Sequence, residues 1–381
     1  MTAPPISDPV KPFPKVSVII PARNEEANIE TCLRSLVVQR GVTFEIFVVN
    51  DGSADRTREI AESYTRVRRC PYIALNQFLI DVHVLDAPQP LPEGWTGKAN
   101  AVVAGEAAAH GEWLLFTDAD TEHLESSLAA AVAEAEAHHA DLLSYSPEQI
   151  TTGLCQHSLM PLIFAELVST YNPRRISDPA HPDAAANGQY LLVSAEAHRN
   201  VGGFASVATE LLDDVSLARR YKQEGYKIHL RYGGGAVRTR MYRSCADLGS
   251  GWKKNLALLF PNPRQLARKR RMEFGRLLIS FLLPLLWTLY LARVGTSGYW
   301  FLPIVVSVLW LCGLLSFASF YVRVARAHFP LMPTLLSIFG LPSFAALLRG
   351  SAKAHEEGRV EWRGRAYCTS GAAERTASDP K

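Results

Sequence analysis

The sequence predicts a doubly wound, mostly parallel α/β sheet of Rossmann-like type, followed by a membrane-embedded helical region. Three observations carry that prediction. Short β-branched or apolar runs, VSVIIP (16–21), FEIFVVN (44–50) and EWLLFT (112–117), alternate with helical periodicity, as in sheets buried on both faces. Several of these runs end in acids, at the strand edge where α/β proteins place their chemistry. The last third carries three apolar tracts flanked by arginines and aromatics.

The 381 residues, 48% hydrophobic and 20% charged, suffice for one large core with an appendage and exclude a disordered or fibrous chain. A formal charge of +3 is too small to argue for nucleic acid as a partner. The basic run RQLARKRRMEFGR (264–276) directly precedes an apolar tract, a position suited to a membrane surface. Six scattered cysteines (Cys32, Cys70, Cys155, Cys245, Cys312, Cys368), with no Cys-x-x-Cys, indicate neither a zinc site nor a disulfide framework and fit a reducing cytoplasm. The Pro-rich start MTAPPISDPVKPFPK lacks the apolar core of a signal peptide.

In chain order, 16–21 is the first strand. Ile29, Leu33, Leu36 and Val37 then mark an amphipathic helix over 28–40, ended by Gly41. A strand at 44–50 runs into the turn 51–53 and a polar helix over 54–64, giving βαβα with right-handed crossovers. An irregular insertion is expected over 65–80, then a strand at 82–85 and a loop at Pro88, Pro90, Pro92 and Gly94. Lys98 opens an Ala-rich helix to His110, which feeds EWLLFTDAD (112–120). Strand alternation would point Asp118 and Asp120 the same way, as hard oxygen ligands for Mg²⁺ or Mn²⁺ against a diphosphate. An isolated Asp-x-Asp is more often a plain acidic turn, so its neighbours decide the reading. A helix over 124–139 and a strand at 141–145 continue the alternation. Beyond Pro147, the apolar stretch 159–171 is too short to span a bilayer and suits core packing. A strand at 188–193, a turn at 202–204 and a helix over 213–225 follow; the two acids opening that helix also suit its dipole.

PARNEE (21–26), NDGSAD (50–55), GKANA (97–101), TDAD (117–120), GGF (202–204) and LDDVSLARRYKQEGYKI (212–228) resemble, in order, the motifs of family 2 glycosyltransferases. The resemblance covers roughly the first 255 residues and implies a GT-A fold. It implies that Pro21, Ala22, Arg23, Glu25 and Asp51 line a nucleotide pocket, with Asp51 on the uracil or ribose. Lys98 would lie near the donor diphosphate or sugar; a cation at a helix N-terminus opposes the dipole and needs a partner such as phosphate. Asp118 and Asp120 would position the donor, with Asp120 binding the metal. Asp214 would be the general base, and Asp213 takes the place where relatives often carry Glu. The residues alone leave either acid as the base. The family's Gln-x-x-Arg-Trp is replaced by LGSGWKKN (248–255), which keeps Trp252 but not the arginine; Lys253, Lys254 or Arg243 would supply a cation on the acceptor and diphosphate side. That variant, with VEWRGRAY (360–367), resembles the hopanoid-associated and carotenoid glycosyltransferase branch.

Of the apolar tracts, 277–292 is short and holds Pro284, 299–322 is long enough to span, and 331–348 is marginal and interrupted by Gly340 and Pro342. The basic stretches 264–276, 323–326 and 349–365 all prefer the cytoplasm, which three spans do not allow. Two spans are expected, with the third tract re-entrant or interfacial. The expected organisation is a tail (1–14), a cytoplasmic catalytic domain (15–260), a juxtamembrane and membrane region (261–350) and a C-terminal tail (351–381). The expected activity is inverting transfer of a sugar from a UDP-linked nucleotide donor to a polyisoprenoid-, hopanoid- or carotenoid-like lipid at the inner membrane. Two alternatives stand beside it. A nucleotidyltransferase would normally show a Gly-rich, Lys-ended phosphate loop, which PARNEE is not; a non-catalytic membrane scaffold would need no acid triad.

Overall fold

The computed structural model describes residues 14–65, 80–295, 301–358, 360–362 and 365–367. Most of the insertion expected over 65–80 lies outside the described residues. The elements are β1 (Val16–Ala22), α1 (Ile29–Val37), β2 (Phe44–Asn50), α2 (Thr57–Thr65), β3 (Asp81–Asp86), α3 (Gly97–Ala108), β4 (Trp113–Thr117), β5 (Thr121–His123), α4 (Ser127–Ala137), β6 (Leu142–Ser146), β7 (Glu148–Gln149), α5 (Gly153–Thr170), α6 (Pro173–Ser177), β8 (Tyr190–Ser194), α7 (Ala195–Asn200), α8 (Asp213–Gln223), β9 (Ile228–Tyr232) and β10 (Val237–Thr239). They continue with α9 (Cys245–Leu259), α10 (Pro263–Val294), α11 (Leu302–Ala325), α12 (Leu331–Glu356), β11 (Val360–Trp362) and β12 (Arg365–Tyr367). Two compact units form, residues 1–150 with 171–240, and residues 151–170 with 241–381.

The first unit is built on a seven-stranded sheet in the order β3-β2-β1-β4-β8-β6-β9. All neighbours are parallel except β8, which runs antiparallel to β4 and β6. The β-branched runs of β1 and β2 are buried almost throughout because helices cover both faces of the sheet. On one face Ile29, Cys32, Leu33 and Leu36 of α1 join Leu128, Ala131 and Ala135 of α4; on the other, Val102 of α3 joins Leu217, Ala218 and Tyr221 of α8. Each fully buried Leu or Ile contributes about 1.5–3 kcal/mol. Gly105 lets α3 lie flat on the sheet: a Cβ there would sit 2.5 Å from Ile19 Cγ2.

The strand expected over 112–120 is shorter. It ends at Thr117, because the Thr121 hydroxyl donates to the Asp118 carbonyl at 2.7 Å and closes a turn over 118–120. The chain then enters a small second sheet, β5-β10-β7.

In the second unit, α5, α9 and α12 share a core that includes Leu162, Ile163, Trp252, Phe344 and Leu348. The basic run 264–276 and the tract after it form one continuous 32-residue helix, α10. Among the described residues three helices, α10, α11 and α12, are long and apolar enough to cross a membrane. They differ in burial: 11% of the most apolar stretch of α10 and of α11 is buried, against 44% for α12. Gly340 permits a close crossing of α12 on α5, since a Cβ there would lie 2.2 Å from the Ser158 carbonyl oxygen. The C-terminal end of α12 is held at α9 by the Ser351 hydroxyl on the Lys253 carbonyl (2.6 Å) and by His355 on the Lys254 carbonyl (2.7 Å), and Glu356 pairs with Arg264 at the start of α10. Its N-terminal end is tied to α11, where the Tyr321 hydroxyl donates to the Leu335 carbonyl at 3.1 Å.

A buried charge network links α5, α10 and α11: Arg270 pairs with Glu166 and Glu273, and Glu273 also pairs with Arg323. Cys155 of α5 and Cys245 of α9 form a disulfide, correcting the expectation that no such pairing exists. Ninety residues separate them in the chain, and only the packing of α5 on α9 makes them neighbours.

Candidate active site

The first unit gathers its acids and one lysine at the C-terminal ends of β1 and β4. A small cavity there is lined by Pro21, Lys98, Phe116, Asp118, Gly188, Phe204 and Asp213, among others. Thr96 caps α3 by accepting from the Ala99 amide at 3.1 Å, which fixes Lys98 one residue inside the helix. The Lys98 Nζ lies 2.7 Å from Asp118 Oδ1. The partner that the helix-start lysine requires is thus supplied by a carboxylate of the chain itself. Burial pulls the Lys98 ammonium down in pKa, but Asp118, Asp213 and Asp214 together outweigh it and hold the charge firmly in place.

Asp213 and Asp214 open α8. Asp213 is buried, and its Oδ1 accepts from the Asp214 amide at 2.9 Å. Asp214 Oδ2 accepts from the Gly188 amide at 2.8 Å and its Oδ1 from the Val215 amide at 2.8 Å. Burial and then the neighbouring Asp213 push the Asp214 carboxyl up to about 6, with Lys98 and the amide donors acting the other way. A carboxylate near 6 is mostly ionised at neutral pH and retains more basicity than an ordinary aspartate, the condition sought in a general base.

Gly188 was not singled out from the sequence as a site residue. Its amide holds Asp214, and a Cβ there would stand 3.3 Å from Lys98 Nζ and 3.4 Å from Asp214 Oδ2. The only signal was a glycine just before an apolar strand. Phe204 of the GGF turn does line the cavity. Gly203 in that turn has φ of +58°, and a Cβ would lie 3.0 Å from Glu106 Oε2, so two independent constraints favour glycine.

Arg23 and Asp51 form a second group at the ends of β1 and β2. Arg23 Nη1 donates to the Asp51 carbonyl at 2.9 Å and lies 3.5 Å from its carboxylate. Ala22 is buried beside them in register with Asn50. Glu25, expected to line a nucleotide pocket, is buried and used locally: its carboxylate accepts from Asn28 Nδ2 at 2.7 Å and its carbonyl from the Asn28 and Ile29 amides. It shapes the entry to α1. Asp118 and Asp120 are both half-buried on either side of the buried Ala119, placed by a turn and not by strand alternation.

Two carboxylates suit a hard divalent cation, which commonly takes one or two acids from the protein and completes its shell with phosphate and water. With Asp118 paired to Lys98, Asp120 is the principal protein ligand the turn can offer.

Trp252, Lys253, Lys254 and Arg243 belong to the second unit. Trp252 is a core residue there, packed edge-on against Phe164, while Lys253 and Arg243 are exposed and Lys254 is half-buried. That packing gives Trp252 a structural role in the second unit.

The architecture has a solved counterpart in a mannosyltransferase from Pyrobaculum calidifontis, a structure in complex with GDP-Man and Mn²⁺. It superimposes with a TM-score of 0.51 at 18% identity over 90% of this chain and 87% of that one, a likeness that shows the GT-A fold alone. Residues 17–174 match the family model for glycosyl transferase family 2. The 4,4'-diaponeurosporenoate glycosyltransferase of Staphylococcus aureus strain USA300 is 26% identical over 250 residues, 64% of this chain and 60% of the relative; that of strain MRSA252 is 27% identical over the same span. Residues 17–174 thus match glycosyl transferase family 2, and the chain resembles the carotenoid branch of that family. The similarity spans 60% of the length of these curated relatives.

Proposed function

We propose that the chain is a membrane-bound inverting glycosyltransferase that moves a sugar from a nucleotide donor, UDP-linked, to a lipid acceptor. The observation that carries this reading is the cluster of Lys98, Asp118, Asp213 and Asp214 at the sheet's C-terminal edge, in which Asp214 is half-buried, held by the Gly188 amide and raised to about 6. Arg23 and Asp51 would hold the nucleoside, and Lys98 the diphosphate side, exchanging part of its pairing with Asp118 for phosphate. A divalent cation at Asp120, assisted by Asp118, would supply fixed positive charge beside the departing diphosphate. Asp214 would accept the proton of an acceptor hydroxyl as its oxygen attacks the anomeric carbon. The Gly188 amide holds the carboxylate in place for that transfer, and Asp213 sets its basicity.

A second reading of the acceptor rests on the relatives' name, which denotes a carboxylate, diaponeurosporenoate. A carboxylate acceptor is already ionised near pH 7 and needs no base. The raised Asp214 favours a hydroxyl.

In the second unit, α10 and α11 are the two spans of this proposal, and Arg323 of α11 pairs with Glu273 of α10. The stretch α12 is interfacial, because both its ends are tied to the basic ends of α10 and α11. The catalytic unit would then face the cytoplasm at the inner membrane. Membranes carrying the chain, given labelled sugar nucleotides, should place label in the lipid extract; label found only in free sugar or phosphate would reject the transfer reading.

A further inference from the structure

At the opposite edge of the sheet, three side chains that the transfer reaction does not use converge on one point. Glu134 and His138 lie four residues apart at the end of α4, on one helix face. His229 is the second residue of β9, in register with Leu143. One ligand atom from each lies within 4.8 Å of the others. Three strand steps separate β9 from β4, roughly 14 Å across the sheet, and His229 lies toward the N-terminal end of its strand, away from Asp118.

We propose that Glu134, His138 and His229 form a second metal site, selective for Zn²⁺ or a similar imidazole-binding transition ion, that ties the C-terminal end of α4 to the edge strand β9. His229 Nε2 stands 3.1 Å from Glu134 Oε1, close to the ligand-to-ligand edge of roughly 3.3 Å in a tetrahedron with zinc bonds of about 2.0–2.1 Å. An ion fits between these two atoms with little movement. His138 is exposed and its ring stacks on that of His229 at 4.1 Å, so a rotation of the exposed ring brings the third nitrogen in. Three protein ligands leave the fourth position to water.

The remaining contacts of Glu134 set the affinity. Arg231 Nε and Nη2 donate to its two oxygens at 2.5 and 2.7 Å, and the Tyr145 hydroxyl donates to Oε2 at 2.5 Å. These donors orient the carboxylate. A metal bound between His229 Nε2 and Glu134 Oε1 would displace the proton that now bridges them. The guanidinium's charge beside the site argues for micromolar and not tighter binding. The two-histidine set discriminates against Mg²⁺, which prefers oxygen, and so separates this site from Asp118 and Asp120.

The inference is independent of the transfer reaction and is tested without it. The full chain in detergent, purified without a histidine tag and stripped with EDTA, is titrated with ZnCl₂ by calorimetry in excess Mg²⁺. One micromolar site is expected, weakened tenfold or more in His138→Asn and in His229→Asn and kept in Asp120→Asn. Circular dichroism of His138→Asn, whose side chain is exposed, checks that the fold is intact. No zinc binding, binding unchanged in both histidine variants, or binding lost in Asp120→Asn would each overturn the proposal.

Discussion

Replacing the charges on either side of Asp214 should move its titration in opposite directions. Asp213 and burial raise that carboxyl to about 6, and Lys98 lowers it. Asp213→Asn removes the neighbouring like charge and should bring the acidic limb of kcat/KM down by about one unit, since a charge within ~4–6 Å shifts a neighbour by one unit or more. Lys98→Met removes the opposing cation and should lift the limb by a similar amount, alongside any loss of donor binding. The wild-type limb should lie near 6. The assay is initial rate against pH at subsaturating donor, with each variant's donor dissociation constant measured separately. A wild-type limb near 4, or a shift of the same sign in both variants, would refute the placement of Asp214 between these two charges.

Asp214→Asn at saturating donor should lose about a hundredfold to ten-thousandfold in turnover, the usual worth of a general base, with donor affinity nearly unchanged. Asp213→Asn should be milder, and a carboxylate acceptor would make both losses small. The same substitution has a stability signature: an acid whose pKa is raised by folding costs stability as pH climbs from about 4 to about 6, so the melting temperature of Asp214→Asn relative to wild type should rise across that window and level off above it. Asp120→Asn should abolish turnover and leave the fold intact; full activity in EDTA would remove the metal from the account. Gly203→Ala should destabilise by about 1–2 kcal/mol, from a left-handed backbone and the contact with Glu106, read as a fall in melting temperature. A thiol introduced at residue 296, 297 or 298 should label from outside intact cells and one at Arg363 should not; labelling at both would favour three spans.

The parts of the fold legible in the sequence were those in which local chemistry and tertiary burial agree. β1 and β2 read as strands because β-branched runs have few other stable placements, and α1 because its apolar spacing matches the face it buries. Lys98 announced a need for a partner through the helix dipole, and the structure supplies Asp118. Other features depend on which distant segments meet. Gly188 reaches Asp214 across 26 positions, the Cys155–Cys245 bond joins two helices 90 positions apart, and the antiparallel sense of β8 is set by its neighbours in the sheet. Glu25 and Trp252 show a different gap: a motif fixes the residue type at a position, while burial and hydrogen bonding decide whether the side chain faces a ligand or its own fold.

The proposed reaction is metal-assisted transfer of a sugar to lipid with Asp214 as base. It is tested most directly by incubating membranes bearing wild type or Asp214→Asn with a panel of labelled sugar nucleotides and analysing the lipid product by mass spectrometry and by its anomeric configuration. One labelled glycolipid of inverted configuration is expected, formed by wild type, abolished by EDTA and formed at least a hundredfold more slowly by the variant. A product of retained configuration, or equal rates from the two proteins with a hydroxyl acceptor, would contradict it.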